Sequence, residues 1–519
     1  VEGLMMGRNR IENADNLRFT GSYEFSTGRL EKFLGQHRVA ALYQRDEGRT
    51  RNSGTSERII QNPLNTQTPD NANNTFRRRT YVDLNGPVER IAIADFRQNP
   101  IVNVVDASRG VPITTAMVPQ TATDDRRVIE SQMIVAQSRF LGDRLVTTFG
   151  YRIDDATTYR GTSLRGAAFG PFAQGYLYAV PGAAGVGQEG RTQISGGVFH
   201  FTRWISGFHN QSKSFATANL NQRIALRDPA PSPTGVGRDY GLKFALLGGK
   251  LFATLGAYKT SARNDNASLN AQFSSTNLNL IWDALQAAGI LAPRGINIDD
   301  VRTDLNAFTF DSDSEGYEFE LVANPTAGWR VSFNWADTKT IQTNTAKELL
   351  SYVDQHRALW TANGGLTAGN STIAQLLATF DDDAINRFIR PEGALKMGDS
   401  RYSANFRTNY TLRETRLRGL GAGAGVRWRS KPVLGYTSAD PRTRQSLMGP
   451  ESFLVDANLT YRFNRTIFQR RVDIDVQLNV NNLFDEDDIV PTRVFENGQT
   501  RTYRFQQPRD IFVTTTFRF

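Results

Sequence analysis

The chain has 519 residues, with 61 Lys+Arg against 52 Asp+Glu for a formal charge of +9, and 39% of its residues are hydrophobic. That balance excludes membrane-spanning helices, since no stretch reaches the ~18 consecutive apolar residues they need. With no cysteine in the chain, a disulfide framework, a thiolate metal site and a cysteine nucleophile are excluded as well. His37, His200, His209 and His356 are too scattered for an imidazole site, so neither metal nor cofactor is expected. The arginines are dispersed among acidic residues and accompany no helix-turn-helix, zinc-finger or RNP pattern, so no nucleic-acid partner is expected either. A membrane β-strand needs only ~9 to 11 residues with alternate ones apolar, which leaves a β-barrel open.

Taken in order, the chain alternates apolar and polar residues with period two from near its start to its end. The alternation predicts about fifteen strands, over 16–27, 36–47, 125–139, 143–158, 191–201, 204–216, 236–247, 250–262, 309–323, 328–341, 400–412, 417–431, 452–464, 470–484 and 508–519. One of the plainest sets Trp329, Val331, Phe333 and Trp335 against Arg330, Ser332 and Asn334. Another sets Val472, Ile474, Val476, Leu478 and Val480 against Asp473, Asp475, Gln477, Asn479 and Asn481. On a helix either set would smear around the whole cylinder.

The connections alternate between short and long. Turn formers such as Leu141-Gly142, Gly248-Gly249 and Asn324-Pro325-Thr326-Ala327 make tight hairpins. Long loops span 48–124, 159–190, 217–235, 263–308, 342–399, 432–451 and 485–507. Short turns at one rim and long loops at the other are the layout of an antiparallel transmembrane β-barrel. Two loop segments, Asn279 to Ala288 and Lys347 to Trp360, read as small amphipathic helices packing on a loop core. No internal repeat points to a propeller or solenoid.

Aromatic residues gather towards the strand ends on the apolar parity. Trp329, Trp335, Tyr402, Tyr410, Trp428 and Phe463 are the expected interfacial girdle against outer-membrane lipid. The other parity carries Glu318, Glu320, Arg427, Arg429, Asp473 and Asp475, as a hydrated lumen would. At the C-terminus Ile511, Val513, Phe517 and Phe519 share the apolar parity, and a chain ending on an aromatic in this phase resembles the assembly signal of bacterial outer-membrane proteins, read by the barrel-assembly machinery.

Four further segments carry a resemblance. They are Gly197-Val198-Phe199-His200-Phe201 through Trp204 to Phe208, Asp239-Tyr240-Gly241-Leu242-Lys243, Ser314-Glu315-Gly316-Tyr317-Glu318-Phe319-Glu320 through to Trp329, and Asn481-Asn482-Leu483-Phe484-Asp485. In this order they resemble the TonB-dependent receptors of bacterial outer membranes. The resemblance implies a 22-stranded barrel, an N-terminal plug and a TonB box contacting the TonB complex. The sequence shows about fifteen strands and no plug, and Val1 is no initiator, so residues 1–519 are expected to be a partial barrel domain, with 1–15 the tail of an extracellular loop.

No enzyme is expected. Gly419, Gly421, Gly423 and Gly425 lie at alternate positions within a strand with no helix after them, so they fail the dinucleotide fingerprint. Asp311, Asp313 and Glu315, and the run Asp485 to Asp488, lack the calcium-loop spacing and read as solvated rim. G-x-S-x-G and H-E-x-x-H are missing. The expected function is active uptake, energised through TonB, of a scarce large solute such as a ferric siderophore, cobalamin or an oligosaccharide, held by the extracellular loops. The alternative is a passive porin.

Overall fold

A computed structural model describes residues 2–3, 6–61, 75–76, 78–79, 103–106, 111–161, 185–218, 222–224, 226, 228–269, 275–414, 416–467 and 470–518. Fifteen long strands carry the fold: β1 Met6–Ser26, β2 Gln36–Gln61, β3 Val111–Phe140, β4 Leu145–Arg160, β5 Gly185–His200, β6 Ile205–Phe215, β7 Thr234–Leu246 and β8 Leu251–Ser268, followed by β9 Ala307–Thr326, β10 Trp329–Thr343, β11 Tyr402–Thr411, β12 Leu420–Arg429, β13 Ser452–Ile467, β14 Arg470–Asn481 and β15 Asp510–Arg518. With the short strands Asn103–Asp106 and Ala394–Leu395 they form one seventeen-stranded sheet of β-barrel type, in which sequence neighbours pair antiparallel.

Each expected strand is present, but several are longer than the alternation indicates. Residues 6–15, expected as a loop tail, are strand; β2 runs to Gln61 and β3 starts at Val111, inside the expected 48–124 loop. The reason is compositional. Along Gln44 to Arg58 polar residues occupy both parities, some of them buried, such as Ser53, Ser56 and Glu57, so the period-two signal disappears although the ladder continues. The expected loops 432–451 and 485–507 hold hairpins of their own, Val433–Tyr436 with Ser446–Met448 and Ile489–Val494 with Thr500–Phe505.

The chain divides into two compact units. One comprises Val1–Tyr23, Ala40–Ile134 and Arg152–Arg191. Several of its buried polar side chains are paired: Arg49 forks onto the buried Asp124 at 2.8 and 2.6 Å, Thr115 donates to the fully buried Glu57 at 2.9 Å, and Ser131 donates to Asp154 at 2.6 Å. Such pairing offsets the cost of removing charge from water.

The other unit comprises Glu24–Val39, Val135–Tyr151 and Thr192–Phe519. Its tight turns use backbone that few residues adopt: Gly248 and Gly249 have φ of 64° and 84° between β7 and β8. Register then places side chains in rows. Leu242, Leu255, Phe319, Trp335, Ala404, Trp428 and Phe453 lie opposite one another across seven strands, and Ala422, Leu459, Leu478 and Val513 across four. This apolar face is exposed: Leu255 at 48%, Leu459 at 46%, Tyr317 and Val513 at 63%. A contiguous exposed apolar surface of this extent marks an interaction surface.

The opposite face is polar. Gly423, Asn458 and Asn479 form one of its rows, which ends on Phe512, an apolar exception. Arg427 pairs with Asp456 at 3.0 Å and Arg462 with Asp475 at 2.9 Å, each arginine more than half exposed, so each pair contributes at most about 1 kcal/mol. The motif glycine Gly316 lies between Tyr258 and Thr338 on this face, and the Tyr258 hydroxyl reaches over it to Thr338 Oγ1 at 2.7 Å. A Cβ on Gly316 would stand 2.1 Å from the Asp337 carbonyl oxygen.

Candidate functional site

The long-loop side of the second unit carries its largest apolar core. Helix α1, Ser275–Ala287, comes from the loop between β8 and β9; α2, Lys347–Ala362, and α3, Ile373–Ala384, come from the loop between β10 and β11. Leu278, Ile281, Trp282 and Leu285 fall at i, i+3, i+4 and i+7, one helical stripe, and all are buried. Leu349, Val353 and Trp360 from α2 and Ile373, Leu377 and Phe380 from α3 meet them. Helix α3 escaped the period-two reading, yet its start is legible as a capping box: the Thr372 hydroxyl accepts from the Gln375 backbone and the Gln375 side chain accepts from the Thr372 backbone.

Aromatic rings fill the centre of this core. Trp282 stands edge-on to His356 at 4.9 Å and to Trp360 at 5.4 Å, and Tyr352 lies 4.9 Å from His356. The indole N–H of Trp282 donates to the Tyr352 hydroxyl at 2.8 Å, which itself donates to the Val301 carbonyl at 2.6 Å. Burial pushes the Tyr352 hydroxyl up to about 12, against the opposing pull of the Trp282 hydrogen bond, so it remains a donor at any physiological pH. Burial also lowers the His356 pKa. The rings pack against one another, so the cluster is a filled core joining the loops rather than a pocket. Arg357 of α2 forks onto Asp381 of α3 at 2.7 and 2.9 Å, and that contact raises its pKa.

The chain leaves α3 through a π-helical turn, Ile385–Ile389, and runs against the hairpin 489–505. Asp383, 2% exposed, accepts from Arg501; Arg390 pairs with Glu496; and Arg444 donates to the carbonyls of Arg390 and Glu392 at 2.8 Å. Three long loops thus converge on an arginine-rich junction. Nothing in the strand pattern marks it, because its members lie far apart in sequence.

The expected girdle residues fall at two levels of the wall. Trp329 is opposite Tyr410 at the short-turn end, and its indole N–H donates to Thr408 at 2.9 Å. Trp335 stacks on Tyr402 at 6.3 Å towards the loop end, where Trp428 is opposite Phe453. Phe463 is opposite Ile474, which is opposite Phe517; Ile511 and Val513 face Val480 and Leu478; Phe519 lies outside the described residues.

Asp313 and Asp485 have arginine partners, and Glu315 lies against Lys339. Arg263 pairs with Asp313 at 2.9 Å and Arg509 with Asp485 at 3.5 Å, and among the described residues no group of three or more His, Cys, Asp or Glu could hold a metal ion. The glycines 421, 423 and 425 lie on the polar face of β12, where the Asn409 and Asn458 side chains lean over Gly423. The Asn481 to Asp485 segment has a structural task. Asn482 adopts φ of 52°, donates to the Glu486 and Gln507 carbonyls at 2.9 and 3.0 Å and accepts from the Glu486 N–H at 3.0 Å, tying the end of β14 to the approach to β15.

An antiparallel membrane β-barrel wall bearing a helix-built loop core defines the class. The chain belongs to the family described as TonB dependent receptor-like, beta-barrel, whose profile matches residues 6–483. Among solved structures it is similar to FpvA of Pseudomonas aeruginosa bound to heterologous pyoverdines, at TM-score 0.55 and 13% identity over 99% of this chain and 51% of that one. It is similar to the ferric yersiniabactin uptake receptor FyuA from Yersinia pestis at 0.53 and 11%, covering 99% and 56%, and to the siderophore receptor PiuA from Acinetobacter baumannii at 0.50 and 14%, covering 98% and 56%. The chain therefore spans about half the length of these structures. No curated relative matches it.

Proposed function

We propose that this chain is the barrel wall and loop platform of an outer-membrane receptor for active uptake of a scarce, large solute, energised through TonB. The observation that carries the reading is the helical loop core on a barrel wall of this family. A rigid aromatic cluster holding several long loops at one end is suited to presenting a preorganised binding surface, and it is more than a passive channel needs. The names of the similar structures favour a ferric siderophore over cobalamin or an oligosaccharide. The reading is of a receptor and not an enzyme.

Its partners follow from the same reading. Outer-membrane lipid covers the apolar face, with Trp329, Trp335, Tyr402, Tyr410, Trp428 and Phe463 as interfacial anchors. The barrel-assembly machinery reads Ile511, Val513, Phe517 and Phe519, and TonB acts through a plug of the kind family members carry. The test is accumulation of ferric siderophores, supplied as a labelled panel, by cells expressing the gene with and without TonB. Uptake that requires TonB is expected. Equal accumulation in both backgrounds would favour the porin instead.

A further inference from the structure

Seven short connections between the long strands, each two to nine residues in length, fall in the second unit. Backbone hydrogen bonds join each to the next connection or to the strand leading into it. Leu141 donates to Phe33 at 3.4 Å, His200 to Arg144 and Asn324 to Lys250 at 2.8 Å, Ala245 to Trp204 and Arg462 to Gly419 at 2.9 Å, and Thr411 to Gly328 at 2.8 Å. The connections therefore form one continuous rim. Counted with two residues of strand on either side, they carry twelve Lys and Arg but only three acids, Glu31, Asp143 and Glu414. That leaves 49 of the 61 basic residues against 49 of the 52 acidic ones in the rest of the chain, so the whole formal excess of +9 lies on this rim. These cations are scattered in the sequence and gathered by the fold. Arg144, Arg203, Lys250, Arg330 and Arg416 are exposed. Among the rim cations whose side chains are described, Arg471 alone has a carboxylate partner, Asp473 at 3.9 Å.

Apolar side chains stand among these charges. Phe33, Leu141, Phe201, Trp204 and Leu417 are each at least 45% exposed, and Leu247 is 73% exposed. Cations alone would suit a soluble polyanion, whereas cations interleaved with exposed Leu, Phe and Trp suit a surface that carries phosphate outside and hydrocarbon beneath. We propose that the short-turn rim docks on the anionic phospholipid headgroups of the leaflet it faces, phosphatidylglycerol being the simplest of them. Its arginines and lysines neutralise the phosphates while Phe33, Trp204 and Leu247 enter the boundary below. This inference rests on the reading that lipid covers the apolar face, and it narrows that reading to a lipid class at one end of the wall. On that reading Trp329 and Tyr410 lie where the hydrocarbon ends, and the headgroup layer reaches only about 5 to 8 Å further. Connections this short keep their charges inside that layer, where each attracts anionic lipid.

The test folds the full chain into vesicles of phosphatidylcholine mixed with phosphatidylglycerol, one of the two brominated. Quenching of tryptophan fluorescence, to which the exposed Trp204 and Trp329 at this end contribute, reads which lipid gathers around the protein. Enrichment of phosphatidylglycerol is expected, and high salt should remove it. Arg413→Gln, Arg416→Gln and Arg418→Gln together should lower the enrichment roughly fivefold. Leu247→Asn, at a φ of 53° that Asn tolerates, should lower it less. Arg442→Gln, Arg493→Gln and Arg504→Gln together make the same charge change on the long loops and should leave it unchanged. Heat-modifiable gel mobility checks folding, and if the triple rim variant does not fold, Arg203→Gln with Lys250→Gln carries the test. No enrichment around the wild type, or the same enrichment around a folded rim variant, overturns the proposal. Binding of polyphosphate by the chain folded in neutral detergent, without enrichment of phosphatidylglycerol in vesicles, assigns the rim to a soluble polyanion and overturns it as well. Insertion without enrichment sinks this inference alone; failure to insert into vesicles of either lipid sinks the reading it rests on, and the inference with it.

Discussion

Leu478 and Asn479 are chain neighbours on β14, and the fold places them on opposite faces of the wall. Leu478 is opposite Leu459 and Val513 in the apolar row, while Asn479 is opposite Asn458 and Phe512 on the polar face. Leu478 lies four residues beyond Ile474, the position level with Phe463 and Phe517 near the short-turn end. At ~3.4 Å per residue and a tilt of ~40°, that puts it ~10 Å into an apolar band ~25 Å tall, close to its middle. A guanidinium there finds neither water nor a counter-ion, so Leu478→Arg should cost ~2 to 4 kcal/mol of barrel stability. Asn479→Arg gives up the hydrogen bond from Gln477, 2.6 Å in the native chain, and gains a hydrated charge, for ~1 kcal/mol or less. Urea unfolding of the chain reconstituted in lipid vesicles, followed by tryptophan fluorescence, measures both. Equal costs, or a larger one at Asn479, would refute the assignment of lipid to the apolar face.

Glycine positions on the polar face should differ according to what blocks them. Gly316→Ala drives Cβ against the backbone oxygen of Asp337 at 2.1 Å and should cost ~1 to 3 kcal/mol, whereas Gly423→Ala meets the movable ends of Asn409 and Asn458 and should cost under ~1 kcal/mol in the same unfolding assay. The loop core should loosen in acid. His356 has a folded pKa below its ordinary 6.5 because burial favours the neutral ring, so its stabilisation is complete above about pH 6.5 and falls away as pH drops through the lower folded value. Hydrogen exchange of α1 and α2 against pH should show that loss, and His356→Phe should flatten it; an unchanged profile in the variant would assign the acid sensitivity to other groups.

The sequence by itself determined the wall. Where a wall strand has one apolar and one polar face, the two faces write themselves into alternate residues, and the fifteen strands and the alternation of short turns with long loops can be read without coordinates. The family motifs were legible as patterns, but their reasons were not: Gly316 is glycine because the Asp337 carbonyl leaves no room for a Cβ, and Asn482 occupies a positive-φ position while bonding three backbone groups. Only the tertiary structure decided the strand extensions along Gln44 to Arg58, where polar residues on both parities erase the alternation. It alone also decided the packing of α1, α2 and α3 into one core and the meeting of Asp383 with Arg501 across more than a hundred residues. Contacts between loops distant in the chain carry no periodic signature, because what selects those residues is a neighbour that the fold supplies rather than a solvent that recurs at every second position.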